Sequence, residues 1–430
     1  MRARFDVVVA GAGPGGIAAA AVAAEAGKRV CLLDANASPG GQIWRGLRSE
    51  TAQHSPHGSG FTSWTARLKK SGCAVWSGWQ AVDLVAPGCL RVESESESRD
   101  VEFGRAILAT GARERFLPFP GWTLPGVMGA GGAQALVKAG LDARGKRVVV
   151  AGSGPLLLAV SAFLTRAGAR VEGIFEQAPL ARLAGLGLHM TLAQPGKLAE
   201  GARYRLQTLG AKYHAGSWVT RAEGPGRVER VWIASGGRER ALDCDWLACG
   251  YHLVPSLELP RLFGCRIAAG YVAVDVLQQS SVPGVACVGE LTGIGGLEKA
   301  LVEGQTAGYA AAGRELQARS MQQQLRRQQN FASRLDHAFA LREELRSLPA
   351  AHTAVCRCED ITHSALAACA SWRQAKLHTR CGMGPCQGRI CGAAAEFLYG
   401  WSSADSRPPA YPARVSTLAA ASSGAGPASS

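Results

Sequence analysis

The stretch "VVVAGAGPGG", residues 7–16, decides the fold class of this chain. Its apolar run has the length of a buried strand, and Gly11, Gly13 and Gly16 then form the pattern G-x-G-x-x-G. The first glycine permits a tight turn, the second lets backbone N–H groups approach a pyrophosphate, and the third lets a helix pack closely. The stretch therefore predicts a strand, a turn and a helix that bind the phosphates of a nucleotide.

The chain continues as a nucleotide-binding unit requires. A helix of small residues is predicted from about Gly15 to Ala26, and a second strand ends at Asp34, 23 residues after Gly11. An acid at this place binds the ribose of a dinucleotide. The same order of strand, glycine turn, helix and strand returns at residues 146–176. The sequence therefore predicts an α/β protein with two dinucleotide-binding folds.

The second glycine turn, "VVVAGSGPLLLA" at residues 148–159, departs from the pattern of the first. Gly152 and Gly154 are present, but Leu157 stands where the third glycine belongs. A leucine there pushes the helix away from the strand and crowds a pyrophosphate, although Glu176 stands at the ribose position. NAD(P) is therefore less expected at this second site than another nucleotide or a purely structural fold, and all three stay open.

Composition excludes several classes of protein. At 430 residues the chain is long enough for two or three domains, and its 47% hydrophobic content is ordinary for a globular protein. The 13 cysteines are odd in number and mostly isolated, which argues against a secreted disulfide framework. The net charge of +14 comes from arginines spread along the chain without a basic tract, so nucleic-acid binding is not expected.

The first residues imitate a signal peptide without being one. Two arginines precede an apolar run, but Gly11 and Gly13 interrupt it, and a strand follows. Because no window holds about 20 uninterrupted apolar residues, no membrane span is expected. We therefore expect a cytoplasmic protein, and association with the inner face of the membrane is compatible with this sequence.

Five of the cysteines lie close together, in "AVCRCEDIT" and "LHTRCGMGPCQGRICG". The pairs Cys356-x-Cys358 and Cys381-x4-Cys386 supply four thiolates from two short loops, which is the number that a binuclear iron–sulfur cluster needs. Zinc sites more often use C-x2–4-C pairs, so [2Fe–2S] is favoured, with zinc and a thiol–disulfide arrangement as alternatives. Cys391 is interpreted as a buried residue on the following helix.

Three further segments indicate FAD at the first glycine turn. Residues 38–46, "SPGGQIWRG", resemble the segment beside the flavin in two-dinucleotide-domain flavoproteins, and residues 106–118, "AILATGARERFLP", match their A-T-G turn. Residues 284–293, "GVACVGELTG", match their late strand, whose terminal acid, here Glu290 in place of the usual Asp, binds the ribityl chain. Over about residues 5–312 the chain resembles the glutathione-reductase-like family. The residues that this resemblance assigns to FAD are Gly11, Gly13, Pro14, Gly15, Gly16, Asp34, Gly41, Gln42, Arg45, Ala109, Thr110, Gly111, Gly289 and Glu290.

The cysteine stretch resembles a [2Fe–2S] domain of the bacterioferritin-associated-ferredoxin type. Its attachment to a flavoprotein with "GGQIWR" is similar to the α (B-type) subunits of bacterial heteromeric amino-acid dehydrogenases. That family includes D-hydroxyproline dehydrogenase, octopine and nopaline oxidases and the cyanide-forming glycine dehydrogenase. The resemblance implies a [2Fe–2S] cluster bound by Cys356, Cys358, Cys381 and Cys386.

The resemblance also implies a function within a complex. A partner subunit with its own FAD would oxidise an amino or imino acid, with D-hydroxyproline as the leading candidate, and this chain would pass the electrons to a quinone or carrier. A small ferredoxin-like subunit is a further expected partner. A stand-alone NAD(P)H-dependent flavoprotein reductase and a non-catalytic redox scaffold or sensor are the alternatives. No residue is assigned as a catalytic acid, base or nucleophile.

The order of these features predicts a two-dinucleotide-binding-domain flavoprotein followed by a small iron–sulfur domain. The polar stretch between the two is expected to be helical, with its arginines and glutamines on a solvated face. The tail is rich in Pro, Ser and Ala and is expected to be disordered or extended along a partner. The predicted regions are an FAD-binding domain at 1–122 and 252–313, an NAD-like fold at 123–251, a helical connector at 314–349, a [2Fe–2S] domain at 350–400 and the tail at 401–430.

Overall fold

The computed structural model describes residues 2–47, 58–402 and 407–420. Within them the chain forms two compact units, and each is built from separated parts of the sequence. The cysteine-rich stretch shares a unit with the second dinucleotide fold. The described residues of the first unit are 2–47, 58–113, 255–333 and 407–420, and those of the second unit are 114–254 and 334–402.

A seven-stranded sheet, counted over the described residues, lies at the centre of the first unit. Its strand Arg2–Ala10 runs parallel between Val30–Asp34 and Ser98–Leu108. The apolar run of the first strand is buried, as expected for a parallel strand with covered faces. The carboxyl ends of the three strands therefore meet at one edge, where α/β sheets bind ligands. The other strands of this sheet are Ala74–Ser77, Gln80–Ala86, Cys89–Glu93 and Val285–Cys287.

Two helices of the first unit, Pro14–Glu25 and Leu297–Ala311, pack in close contact. A Cβ atom on Gly304 would lie only 2.2 Å from the carbonyl oxygen of Gly15, so this approach of the two backbones requires glycine. The pair places the start of both helices near the first glycine turn. The other elements of this unit are helices Gly58–Lys70, Glu258–Leu262, Glu315–Ser320 and Val415–Ala419, the 3-10 helix Gly289–Thr292 and strands Ile267–Ala268 and Tyr271–Val272.

The second unit contains a parallel five-stranded sheet. Arg147–Ser153 lies at its centre between Arg170–Glu176 and Trp246–Tyr251, and Tyr213–Ala215 and Val127–Met128 form the edges. The strand order therefore reverses beside the central strand, as in the first unit. The remaining elements here are the antiparallel strands Ser217–Glu223, Arg230–Ser235 and Arg238–Asp243, and helices Ala130–Lys138, Leu156–Arg166, Leu180–Ala193 and Pro195–Gln207. Strands Ala112–Glu114 and Leu253–Pro255 lie where the chain passes between the units.

The cysteine module, residues 350–400, is small and has its own apolar centre. Two of the five crowded cysteines, Cys381 and Cys386, lie in the irregular loop between its last two helices. Cys391 is the first residue of the last helix, and it is buried as the sequence predicts. The elements of the module are strands Ala354–Cys356 and Ile361–Thr362 and helices His363–Ala367, Trp372–Thr379 and Cys391–Tyr399.

The connector contains a long helix, as expected, and most of its arginines and glutamines are exposed, but its opposite face is buried. The 17-residue helix Gln322–Ala338 buries Leu325, Phe331 and Leu335, because its apolar residues recur at helical spacing. A 3-10 helix, Glu343–Ser347, leads on to the cysteine module. Among the described residues, no helix combines the length and the apolar character needed to cross a membrane.

The tail expected to be disordered or extended along a partner is instead ordered against its own chain over residues 407–420, which we name the C-terminal strap. Arg91 of the first unit is buried and forms an ion pair of 2.9 Å with Asp100. Its guanidinium also donates to the carbonyl oxygens of Thr417 (3.3 Å) and Ala420 (2.7 Å). The strap is held because it supplies acceptors to a buried cation.

Candidate cofactor sites

The first glycine turn has the geometry that a dinucleotide needs. Gly11 has a φ of +107°, and a Cβ atom there would lie 2.3 Å from the carbonyl oxygen of Ala109. A Cβ atom on Gly16 would lie 1.8 Å from the carbonyl oxygen of Gly11. In contrast, nothing lies within 4 Å of a Cβ atom built on Gly13, so this residue borders open space. The turn is therefore closed on the protein side and open on the side where a pyrophosphate approaches.

Asp34 is fixed beside this turn. Its carboxylate accepts hydrogen bonds from the backbone N–H of Ala12 (2.6 Å) and from the backbone and side-chain N–H groups of Asn36 (2.7 and 2.6 Å). The amide oxygen of Asn36 accepts in turn from the guanidinium of Arg45 at 3.1 Å. Gln42, on the same loop, is exposed. The acid thus lies at the strand end where a ribose hydroxyl is bound.

Two further turns border the same edge of the sheet. A Cβ atom on Gly41 would lie 2.8 Å from the Cα atom of Gly13, so the 38–46 loop lies against the glycine turn. In the A-T-G turn the hydroxyl of Thr110 donates to the carbonyl oxygen of Ser256 (2.8 Å), whose N–H donates to the carbonyl oxygen of Gly111 (2.9 Å). The structure therefore brings together the segments that the sequence assigns to FAD.

Glu290 lies between the last strand of the first sheet and the helix Leu297–Ala311. Its two carboxylate oxygens accept hydrogen bonds from the backbone N–H groups of Gly295 and Gly296, each at 3.0 Å. Burial raises the pKa of Glu290, against the lowering effects of Lys299 and of these hydrogen bonds. A carboxylate has about four acceptor sites, so both oxygens keep capacity for a ribityl hydroxyl.

A buried ion pair supports the same loop, and the sequence interpretation missed it. Lys299 and Glu303 are 2.9 Å apart, and both are almost fully buried. The ammonium group donates to the carbonyl oxygen of Gly289 and to the hydroxyl of Thr292, each at 2.8 Å, and the carboxylate accepts from the N–H of Gly289 at 2.8 Å. The signal was an i,i+4 Lys–Glu pair in the helical stretch "LEKALVEGQTAGYAA".

Three sulfur atoms of the cysteine module form a compact cluster. The Sγ atoms of Cys356, Cys381 and Cys391 all lie within 4.8 Å of one another, and all three residues are buried. Cys391 was interpreted as a buried residue only, so its place in the cluster was missed. All the cysteines of the chain are free thiols, so the module is held by packing and not by disulfides.

Four cysteines line one cavity of about 110 Å³ beside this cluster: Cys356, Cys358, Cys386 and Cys391. A single water needs roughly 10–15 Å³ by this measure, so the cavity can hold a group of several atoms. The aromatic side chains of Phe116 and Trp122, together with Arg357 and Ile390, complete the lining. Cys381 is fully buried next to the cavity and does not line it.

Glycine turns let the backbone approach these sulfur atoms. Gly382 and Gly388 have φ values of +78° and +76°, and a Cβ atom on either would lie within 3 Å of the indole ring of Trp372. The N–H of Gly382 donates to the sulfur of Cys356, and the N–H of Cys386 donates to that of Cys358. Such N–H···S bonds stabilise a metal-bound thiolate and tune its reduction potential.

The protonation of the cluster shows how strongly its sulfur atoms interact. The thiols of Cys381 and Cys391 donate hydrogen bonds to the sulfur of Cys356, and these bonds lower the pKa of Cys356. The same contact with Cys356 raises the pKa of Cys381 to about 12 and also raises the pKa of Cys391. Cys356, once ionised, therefore opposes the ionisation of its neighbours, and a bound cation would let more of them ionise. This donor set fits a metal centre that takes thiolate ligands.

The second glycine turn has a different environment from the first. Glu176 is fully buried, and its carboxylate accepts hydrogen bonds from the N–H groups of Gly154 (2.7 Å) and Ala178 (2.8 Å). Leu157 is accommodated in an apolar cluster behind the turn, and its helix begins one residue before it. Burial raises the pKa of Glu176 to about 7, although its hydrogen bonds act in the opposite direction.

We expect Glu176 to make the stability of the second unit depend on pH. Its pKa is raised from 4.5 to about 7, so the unfolded chain loses this proton first as the pH rises. Stability is therefore lost between about pH 4.5 and pH 7, by roughly 3 kcal/mol for this group. Urea unfolding from pH 5 to 8 should show the loss in the wild type and not in Glu176→Gln. Glu229→Gln, at an exposed position, is the matched control. Parallel wild-type and Glu176→Gln curves would contradict the assignment.

One C-x4-C pair precedes residue 350, Cys244 and Cys249, and it cannot act as a redox disulfide. Cys249 lies in the buried strand Trp246–Tyr251 and Cys244 lies just before it. Because strand residues rise about 3.3 Å each, the two residues are too far apart for the 4.4–6.8 Å Cα separation of a disulfide. Cys244 and Cys249 therefore cannot serve as the reactive pair of a disulfide reductase.

Comparisons with known proteins agree with this geometry. The family model described as pyridine nucleotide-disulphide oxidoreductase matches residues 5–313. One of the opine oxidase subunits of Rhizobium meliloti (strain 1021) is 33% identical, over 92% of this chain and 92% of its own length. Hydrogen cyanide synthase subunit HcnB of Pseudomonas aeruginosa is 31% identical, over 89% of this chain and 90% of its own length.

A solved structure extends the likeness to the fold of almost the whole chain. L-proline dehydrogenase from P. horikoshii superposes with a TM-score of 0.70 at 19% identity, covering 97% of this chain and 80% of that one. Thioredoxin reductase from T. acidophilum, at 19% identity, has a TM-score of 0.53 and covers 73% of this chain and 99% of its own. These likenesses show a shared fold. The chain is therefore a flavin-dependent oxidoreductase that belongs to the pyridine nucleotide-disulphide oxidoreductase family.

Proposed function

We propose that this chain is the electron-transferring subunit of a heteromeric dehydrogenase that oxidises an amino or imino acid, with D-hydroxyproline as the leading substrate. The observation that carries the proposal is the presence, in one chain, of a glycine turn shaped for a dinucleotide and a cavity lined by four cysteines. The relatives are named as subunits of an opine oxidase and of a hydrogen cyanide synthase, which supports a role as one subunit among several.

FAD would bind in the first unit, on the open side of the first glycine turn. Backbone N–H groups around Gly13 and the start of helix Pro14–Glu25 would bind its pyrophosphate, and Asp34 its adenosine ribose. Glu290 would accept from the ribityl chain while it holds the loop before helix Leu297–Ala311. When bound, FAD takes up electrons in pairs, and an iron–sulfur cluster passes them singly.

For the metal centre we propose a [2Fe–2S] cluster bound by the four cysteines that share the cavity. These are Cys356, Cys358, Cys386 and Cys391, so Cys391 takes the place that the sequence interpretation gave to Cys381. A binuclear cluster needs four sulfur ligands that face one space, and the cavity has them. Zinc is a single ion held by four ligands and would not need a cavity for several atoms, so a [2Fe–2S] cluster is favoured over zinc.

Substrate oxidation is assigned to a partner subunit with its own FAD. This chain would accept the electrons and deliver them to a quinone or a carrier, with a small ferredoxin-like subunit as a further member of the complex. The amine would leave the partner's site as an imine, which water hydrolyses. What this chain would contribute is the binding of two redox groups.

The experiment is reconstitution with the flavoprotein encoded beside this chain in its genome. Dye reduction with D-hydroxyproline, L-proline, octopine, nopaline and glycine is compared for the partner alone, for this chain alone and for both together. We expect substrate-dependent dye reduction at full rate only with both chains. Full-rate activity of the partner alone would show that this chain is a non-catalytic scaffold. Rapid bleaching of its flavin by NADH without the partner would identify a stand-alone reductase instead.

A further inference from the structure

The second dinucleotide fold has its ligand crevice at the carboxyl ends of three parallel strands. Open α/β sheets bind their ligands there, where the strand order reverses. In this unit the three ends are marked by Ser153, by Gln177 directly after Glu176, and by His252 directly after Tyr251. A nucleotide held at the second glycine turn has to contact this edge of the sheet.

The chain's own residues 336–342, which we name the crevice segment, contact all three strand ends. The hydroxyl of Ser153 donates to the carbonyl oxygen of Phe339 at 3.2 Å. A ring nitrogen of His252 lies 3.3 Å from a carboxylate oxygen of Asp336, and the rings of His252 and Phe339 stack at 6.3 Å. The segment therefore crosses the crevice from the third strand to the first.

Gln177 holds the segment from the remaining strand. Its side-chain amide nitrogen donates to the hydroxyl of Ser153 (2.9 Å) and lies 3.4 Å from the carbonyl oxygens of Phe339 and Ala340. Its side-chain oxygen accepts from the N–H of Arg342 at 3.2 Å. Gln177 is fully buried, so these groups have no solvent to bond with if the segment leaves.

The turn itself is also poorly prepared for a phosphate. Leu157 stands in place of the third glycine, and a Cβ atom on Gly154 would lie 3.1 Å from a ring nitrogen of His252, whereas nothing lies within 4 Å of a Cβ atom on Gly13. The carboxylate of Glu176, at the place of a ribose ligand, is fully buried. The residues present here therefore do not fit NAD(P), whereas those of the first turn fit FAD.

We infer that the crevice segment takes the place of a nucleotide in the second fold. The second unit consequently binds neither NAD(P)H nor an adenine nucleotide in this crevice. Its use is structural, because the strand ends that would hold a cofactor instead fix the chain directly before the cysteine module. This inference goes beyond the proposed function, since it concerns a site that electron transfer between flavin and cluster does not use.

Nucleotide binding and amide hydrogen exchange of the holoprotein test the inference together. NADH, NADPH and ADP are titrated by calorimetry, and exchange at residues 339–342 is followed by mass spectrometry with and without each. We expect no nucleotide to accelerate exchange of the segment. Saturable binding of any of the three, with faster exchange at 339–342, would show displacement and overturn the inference. Binding that leaves this exchange unchanged lies outside the crevice and agrees with it.

Gln177→Leu provides a second measurement on the same protein. Loss of a buried partner costs on the order of 1–3 kcal/mol, so amide exchange at residues 339–342 should accelerate about tenfold in this variant. Gln317→Leu, at an exposed position on helix Glu315–Ser320, is the control and should leave the exchange unchanged. Equal exchange in both variants would mean that Gln177 does not hold the segment. Flavin and iron contents, which the proposed function requires, are measured separately.

Discussion

Cys391→Ser is expected to remove the iron–sulfur centre, whereas Cys381→Ser leaves it bound. Cys391 lines the cavity with Cys356, Cys358 and Cys386, and Cys381 is buried beside that cavity without facing it. Each iron of a binuclear cluster has two thiolate ligands from the protein, so the loss of one thiolate leaves one iron with a single protein ligand. The measurements are iron and acid-labile sulfide per chain and the visible absorbance of the purified protein.

The two serine variants control each other, because both change one buried sulfur of the same compact cluster. Iron retained in Cys391→Ser and lost in Cys381→Ser would restore the ligand set expected from the sequence and refute the one proposed here. Zinc in place of iron in the wild-type protein would refute the cluster itself. Cys369→Ser, in the same module and outside the cavity, is the control for removing a thiol that binds no iron.

Gly13→Leu is expected to yield a folded chain that has lost its flavin. The φ of Gly13 is −73°, which any residue adopts, and nothing lies within 4 Å of a Cβ atom there. The new side chain therefore fills the space that the pyrophosphate needs without straining the protein. Loss of one or two charge-assisted hydrogen bonds at about 1.5–3 kcal/mol each weakens FAD binding roughly 100-fold. Flavin content and titration of the apoprotein with FAD measure this loss.

Gly196→Leu is the matched control, since its Cβ position is equally open and lies on a surface helix of the second unit. It should keep full flavin content. Gly16→Ala serves as the opposite case, because its methyl group would lie 1.8 Å from the carbonyl oxygen of Gly11 and should unfold the turn. Normal FAD binding by a folded Gly13→Leu protein would place the dinucleotide elsewhere.

The flavin site could be predicted from the sequence because its constraints are local. Gly16 packs against Gly11, and Gly11 packs against Ala109 at the end of the adjacent strand, so neither position has room for a side chain. Both glycines therefore belong to one short sequence pattern. Asp34 follows because a strand of fixed length carries it to the same edge. The order of these motifs along the chain was enough to predict two dinucleotide folds.

The cysteine site could be predicted only in part. Spacing along the chain identifies cysteines that lie near one another, but it does not say which of five sulfur atoms faces a common space. Cys391 is the first residue of a helix, and Cys381 lies in the loop before it, directly after Arg380, which is in the left-handed region with a φ of +64°. Neither fact is visible in a pattern of cysteines.

The crevice segment was beyond sequence reasoning for a different reason. Gln177 and Phe339 are 162 residues apart, and a glutamine that bonds to backbone carbonyls leaves no pattern in either stretch. The connector was interpreted from its polar residues, as a helix with a solvated face of arginines and glutamines. Its apolar residues at helical spacing indicate a buried face, but they do not say which part of the chain packs against it.

The C-terminal strap has a consequence for how the protein is made. Domains generally fold from the amino end as the ribosome releases them. Two of the acceptors of Arg91, at Thr417 and Ala420, are translated 326 and 329 residues after it. The first unit therefore waits, with a buried arginine incompletely bonded, until the second unit and the cysteine module have left the ribosome. Completion of the flavin-binding unit is in this way tied to synthesis of the second unit.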